Sequence, residues 1–151
     1  MDSNCSSIRS ANISDLSGIC EVERTSFARD PYPSSLLKKL ILDSQSVSLV
    51  VIDQSGKITG YCISDNEGTR SHLISLAVLP NHRRMGVASR LLKELMIILR
   101  NRGIKEVRLE VRSDNDPAIE LYRRSGFADE MMIRGYYSDA STALSMRMIL
   151  R

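Results

Sequence analysis

The sequence predicts an α/β fold, a mixed sheet crossed by helices. Hydrophobic periodicity switches between the period of strands and that of helices along the chain without segregating into an all-helical and an all-strand half. The 151 residues fit one domain, long enough to bury roughly 68–70% of the unfolded surface. No internal repeat, low-complexity tract or change of composition divides them.

Element by element, a short strand over Ser7–Arg9 is followed by Asn12 or Ser14, either of which can cap a helix running to about Phe27. The segment DPYP, Asp30 to Pro33, forces a turn, because each proline pushes its predecessor out of helical geometry. SSLLKKLIL, from Ser34, reads as a second helix. SLVVID, a turn at Gln54 to Gly56 and KITGYCIS form a hairpin signal. HLISLAVLP, starting at His72, is nearly all apolar, as expected of a strand covered on both faces. Pro80 and Asn81 end it. The stretch from Asn81 opens a long helix whose apolar stripe is Ala88, Leu91, Leu92, Leu95 and Leu99, with Gly103 as its C′ residue. EVRLEVR then alternates, Val107, Leu109 and Val111 to one side and Arg108, Glu110 and Arg112 to the other. Asp114 or Asn115 caps a fourth helix with Pro117 in its first turn and Gly126 after its end. FADEMMIRGYY and TALSMRMIL close the chain as two strands, and Met131, Met132, Met146 and Met148 are expected to fill gaps in the core.

Composition narrows the function. The longest purely apolar run, Leu95 to Leu99, is far shorter than the ~20 residues that span a bilayer, and MDSNCSSIRS lacks an apolar signal core. The expectation is a cytoplasmic protein with no membrane partner. Cys5, Cys20 and Cys62 are odd in number, widely spaced and without matching histidine clusters, which predicts neither a disulfide framework nor a metal site. A net charge of +3 without any long Lys/Arg block argues against nucleic acid as the primary partner. A small anionic ligand remains open.

The opening of the long helix, NHRRMG, points toward such a ligand. A helix N-terminus favours acids and penalises cations by ~0.3–1 kcal/mol each, yet His82, Arg83 and Arg84 stand there. A strand, a tight turn containing Gly86 and then a helix expose unpaired backbone amides, and a bound phosphate turns the arginines into favourable neighbours. Arginines that are merely solvated would look the same. The stretch is neither a Walker loop nor a dinucleotide fingerprint.

Arg83 to Ala88, R-R-M-G-V-A, resembles the R/Q-x-x-G-x-G/A pyrophosphate loop of the GNAT acetyltransferase superfamily. The similarity continues through LEVRSDNDPAIELYRRSGF and RGYYSDASTALSM, about half the chain together, and SHLISLAVLPNHRRMGVA looks closest to the RimI/Ard1-type protein N-terminal acetyltransferases. The resemblance implies a mixed, mostly antiparallel sheet of six to seven strands flanked by four helices. It further implies that acetyl-CoA binds with its pyrophosphate on Arg83, Arg84, Met85, Gly86, Val87, Ala88 and Ser89. Leu76, Ala77 and Val78 would lie on a splayed strand against the pantetheine and acetyl carbonyl, and Asn115, Ala118, Tyr122 and Arg124 would line the other side. Ala88 stands where many members carry glycine.

Acetyl transfer from a thioester to an amine requires a neutral amine, a stabilised oxyanion and a proton for the thiolate. Glu110 is the candidate base, on the polar side of its strand where the resembling families place Glu or His. An ordinary carboxylate, pKa ~4.3, is a weak base, so it is expected to work through water or with enhanced basicity. Pairing with Arg108 or Arg112 is its bland alternative. Tyr122 is the candidate acid, or else an aromatic packing residue; the Val78 amide as oxyanion donor rests on the resemblance alone. His72, placed just before the apolar strand, is second to Glu110, and Tyr32, Tyr136 and Tyr137 are expected to wall a groove for a peptide N-terminus. The reading is transfer to the α-amine of proteins or peptides in a ternary complex. Acetylation of lysine or a small amine, and a CoA-binding module without catalysis, are its alternatives, and an auxiliary subunit or a homo-oligomer is compatible with it.

Overall fold

The computed structural model describes residues 6–151; Cys5 lies outside them. Seven strands form one sheet in the order β1-β2-β3-β4-β5-β7-β6: β1 (Ser7–Ser10), β2 (Val47–Ile52), β3 (Ile58–Glu67), β4 (Arg70–Val78), β5 (Glu106–Arg112), β6 (Ala128–Ile133) and β7 (Ala143–Ile149). Every neighbouring pair is antiparallel except β4 and β5. That parallel pair needs a crossover, which the long helix α3 (Val87–Asn101) supplies. With α1 (Leu16–Ser26), α2 (Ser34–Leu42) and α4 (Asp116–Arg124), the mixed sheet and four helices match the expected architecture.

The helices divide between the faces. On one, α3 buries Val87, Leu91, Leu92, Leu95, Met96 and Leu99, a stripe of three- and four-residue spacing, against Leu73, Val107, Leu109, Val111 and Met146, with Ile119 and Tyr122 of α4 beside them. On the other, Ile19 and Val22 of α1 and Leu37 and Leu40 of α2 pack on Val50, Tyr61 and Ile63. Asn12 caps a 3-10 turn over Ile13–Asp15, in a capping box with Asp15, whose carboxylate also holds Arg9; α1 itself follows at Leu16 without a side-chain cap, against the expectation that Asn12 or Ser14 caps it. Asn115, not Asp114, caps α4, and Gly103 closes α3 with φ +82°.

Three further expectations change. The long helix begins at Val87, not near Asn81: Pro80–His82 make a 3-10 turn and Arg84 and Gly86 adopt left-handed backbone, which no helix can continue. The sixth strand stops at Ile133, because Gly135 at φ +66° turns the chain, so Tyr136 and Tyr137 lie in the β6–β7 connection. Met131 and Met132 do not fill the core; β6 is the sheet edge and they stay 54% and 59% exposed, while Met146 and Met148 are buried. Among the described residues no helix is long and apolar enough to cross a membrane.

Candidate active site

The parallel ladder between β4 and β5 is short. It joins Arg70 to Glu106, Ser71 to Val107 and His72 to Arg108, and there it ends. The cause lies in β4, whose pairing with β3 slips between Ile63 and Ser64, opposite Ser75 and Leu73, leaving Ile74 as the extra residue of a bulge. Bulges bend a strand and increase its twist. After the slip Leu73 faces α3 whereas Ser75 and Ala77 face α1. The Leu79 amide donates to the Thr59 carbonyl at 2.8 Å. Counting back through the antiparallel alternation, Ala77 directs its backbone groups at Tyr61 of β3, while Leu76 and Val78 direct theirs into the gap beside β5.

At the far end of β4 the loop before α3 carries two left-handed residues, Arg84 at φ +63° and Gly86 at φ +75°. Such alternation gathers successive backbone amides into an anion-binding nest. Helix α3, like α1 and α2, starts with no side-chain cap and no acid in its first turn, whereas α4 has both, Asn115 accepting from the Ala118 amide at 3.3 Å and Asp116 following it. A Cβ built on Gly86 would meet no atom within 4 Å, so the space in front of the turn is open. These features fit the diphosphate of acetyl-CoA. Arg83 is already engaged, its Nε donating to the Val78 carbonyl at 2.9 Å and its Nη2 to Ser26 Oγ at 3.4 Å. Arg84, Met85 and Ser89 are exposed, and Arg124 pairs with Glu120 at 3.9 Å.

The gap's other mouth opens on the α1/α2 side. His72, within β4 and not before it, lies with Nε2 2.5 Å from Glu110 Oε2. Glu110 therefore pairs with neither arginine beside it: Arg108 turns to Glu130 at 3.6 Å and Arg112 to Asp139 at 3.1 Å. Tyr32, Tyr136 and Tyr137 lie within electrostatic reach of Glu110. Burial pushes the Tyr32 phenol up to about 12, with Tyr136, Glu23 and Glu110 close enough to add to the rise. Burial likewise raises Tyr136 and Tyr137, Glu110 adding to both. Tyr137 stacks edge-on against Tyr136, centroids 5.0 Å apart, under the Arg112 guanidinium at 4.1 Å. Tyr122, on the α3/α4 face, is buried edge-on to Phe127 at 5.6 Å, and burial raises its pKa first, Cys62 and Tyr137 adding to the rise.

Sequence reading missed Glu23. It is 1% exposed and accepts from the Tyr61 hydroxyl, from Ser75 Oγ at 3.0 Å and from the Tyr32 amide at 2.9 Å. Its signal was present: four residues after Ile19 and one after Val22, it falls on the apolar stripe of α1.

Comparison with known proteins agrees with this geometry. The acetyltransferase (GNAT) family model matches residues 16–127. An N-alpha-acetyltransferase of Sulfurisphaera tokodaii is 29% identical, the match covering 92% of this chain and 90% of that protein. The crystal structure of Ard1 from Thermoplasma volcanium superposes with TM-score 0.89 at 30% identity over 97% of this chain and 98% of its own. The ribosomal-protein-S18-alanine N-acetyltransferase of Escherichia coli gives 0.87 at 26% identity over 96% and 94%. A sheet that opens between β4 and β5, an uncapped helix at one end of the opening and a family match spanning both lead to one conclusion: this chain belongs to the acetyltransferase (GNAT) family.

Proposed function

We propose that the protein transfers the acetyl group of acetyl-CoA to the N-terminal α-amine of a protein or peptide by direct attack in a ternary complex, in the cytoplasm. The observation that carries this reading is the His72–Glu110 pair at the fork where β4 leaves β5, and in this reading Tyr32, Tyr136 and Tyr137, all within electrostatic reach of Glu110, wall the acceptor groove beside it. An acceptor amine arriving there would meet a thioester threaded from the opposite side. The relatives' names, N-alpha-acetyltransferase and Ard1, support the same acceptor. The free, buried thiols of Cys20 and Cys62 suit a reducing compartment.

In this reading the Arg83–Ser89 turn and the first amides of α3 hold the diphosphate, Arg84 supplying charge. Leu76 and Val78 hydrogen-bond along the pantetheine, with the Val78 amide toward the acetyl oxygen. Asn115, Ala118 and Arg124 flank the cofactor's other side. Glu110, with His72 against it, takes the proton from the amine, either directly or through water. An α-amine, pKa ~8, gives up that proton far more readily than a lysine at ~10.4, so a single carboxylate–imidazole pair suffices. Burial keeps the Tyr122 phenol protonated, the state from which it can donate to the departing thiolate. No covalent nucleophile is needed, and burial pushes the Cys62 thiol up to about 12, leaving it unreactive.

Thiol release from acetyl-CoA is followed with short peptides bearing free or blocked N-termini, a lysine peptide with a blocked N-terminus, and a polyamine. Turnover on free N-termini that blocking abolishes is the expected result. Turnover confined to the lysine peptide or the polyamine overturns the acceptor assignment, and absence of turnover with intact acetyl-CoA binding leaves a binding module.

A further inference from the structure

We infer that Glu23 is a positioning residue for the acceptor peptide: it ties the α1–α2 connection to the sheet and so fixes where Tyr32 stands beside the His72–Glu110 pair. The inference rests on the reading above that Tyr32 walls the acceptor groove.

A carboxylate 1% exposed is expensive to bury unless donors surround it. Among the described residues no cation pairs with Glu23; it is satisfied by three neutral donors instead. An apolar residue would pack here beside Ile19 and Val22 without that demand, so packing alone does not account for a glutamate. The donors indicate what it does. Tyr61 and Ser75 belong to β3 and β4, whose ladder already holds them in register with Ala77 and Ile63. They form a rigid base, and burial and Glu23 together raise the Tyr61 phenol, which keeps its proton for the bond. The third donor is the amide of Tyr32, in the connection that must be fastened.

That connection has few other ties. Tyr32 lies between Pro31 and Pro33, neither of which has an N–H, so its amide is the triplet's only backbone donor, and Glu23 Oε2 takes it at 2.9 Å. Phe27 at its start packs on the core and takes the Asp30 amide in a turn at 3.1 Å; beyond that the attachments are exposed, the Ser138 amide to Asp30 Oδ2 at 3.3 Å and Arg29 to Asp139 at 3.8 Å. Surface pairs of that kind contribute little. Removing the acceptor at Glu23 therefore frees the tyrosine wall, while β4, held by β3, stays where the cofactor needs it.

Two variants and one measurement on the unaltered protein test this. E23M keeps shape and length but has no acceptor. E23Q still offers one oxygen to the Tyr32 amide, since the Tyr61 and Ser75 hydroxyls can rotate to accept from its NH2 group. Expected for E23M is a peptide KM raised tenfold or more with the acetyl-CoA dissociation constant unchanged; E23Q restores KM to within about threefold of the original. In the unaltered protein the Tyr32 amide should exchange with solvent far more slowly than that of Arg29, which finds no acceptor among the described residues. An E23M protein that melts lower yet keeps its peptide KM overturns the inference, as does parallel loss of acetyl-CoA binding. So does an unprotected Tyr32 amide, which decides the matter even if E23M does not fold. If the unaltered protein acetylates no peptide, the acceptor assignment fails by itself, and Tyr32 exchange still reports whether Glu23 anchors the loop.

Discussion

Replacing Gly86 by alanine separates the fold's requirement for this residue from the ligand's. At φ +75° an L-residue is strained by roughly 1–2 kcal/mol, so G86A should lose about that much stability. For a chain of 151 residues this lowers the melting temperature by about 2–8 °C. No clash adds to the loss, because the new Cβ meets nothing within 4 Å. The strain is present with and without ligand and so cancels in a binding measurement. Any fall in acetyl-CoA affinity must then come from the methyl group standing where the diphosphate approaches the backbone. We expect at least a tenfold rise in dissociation constant by calorimetry, about 1.4 kcal/mol, on top of the stability loss. A protein that melts lower yet binds acetyl-CoA as before would refute the placement of the diphosphate at this turn.

E110Q should keep acetyl-CoA affinity and lower kcat by a hundredfold or more, the usual contribution of a general base of about 3 kcal/mol; an unchanged kcat would mean that the His72–Glu110 contact only shapes the groove. In G60A the added Cβ lies 3.1 Å from the Ala77 carbonyl oxygen and 3.2 Å from Val78 Cγ2, and overpacking against backbone should lower stability by about 1–3 kcal/mol and disturb turnover, read by thermal melting and steady-state kinetics. Asp15 is held below its ordinary carboxylate pKa chiefly by its two hydrogen bonds from Arg9, at 2.8 and 2.9 Å. A depressed acid stabilises the fold above its unfolded pKa and loses that contribution as pH falls through its folded one, so the advantage over D15N, on the order of 1 kcal/mol near neutrality with Arg9 half exposed, should shrink progressively as pH drops below the ordinary carboxylate value of ~3.9 in urea titrations.

Much of the fold was legible because local chemistry agreed with it. The stripe from Leu91 to Leu99, the alternation of Val107, Leu109 and Val111, and the stops at Gly103 and Gly126 each state one structure, and the protein adopts it. Where the sequence misled, a long-range relation decided. Met131 and Met132 look like core residues until β6 is known to be the edge. The bulge at Ile74 hides in an apolar run, where no alternation exists to be broken. Glu110 is readable as a candidate base, with Arg108 and Arg112 two residues away as its alternative partners, but the partner it takes, His72, is 38 residues distant across a parallel pair. Glu23 was overlooked for the same reason, its partners Tyr61 and Ser75 lying 38 and 52 residues on.

The fork between β4 and β5 also bears on how long the molecule survives. Past His72 the backbone groups of Leu76 and the Val78 amide have no neighbouring chain on that side, the Val78 carbonyl being held by Arg83, so whatever slides in supplies the missing rungs and acts, in energy, as one more strand. At a hundredfold excess over its dissociation constant such a guest adds about 2.7 kcal/mol to the folded state, worth about 5–10 °C of heat tolerance for a chain of this size. Starvation for the acyl donor would thus expose the protein to proteases as well as idle it.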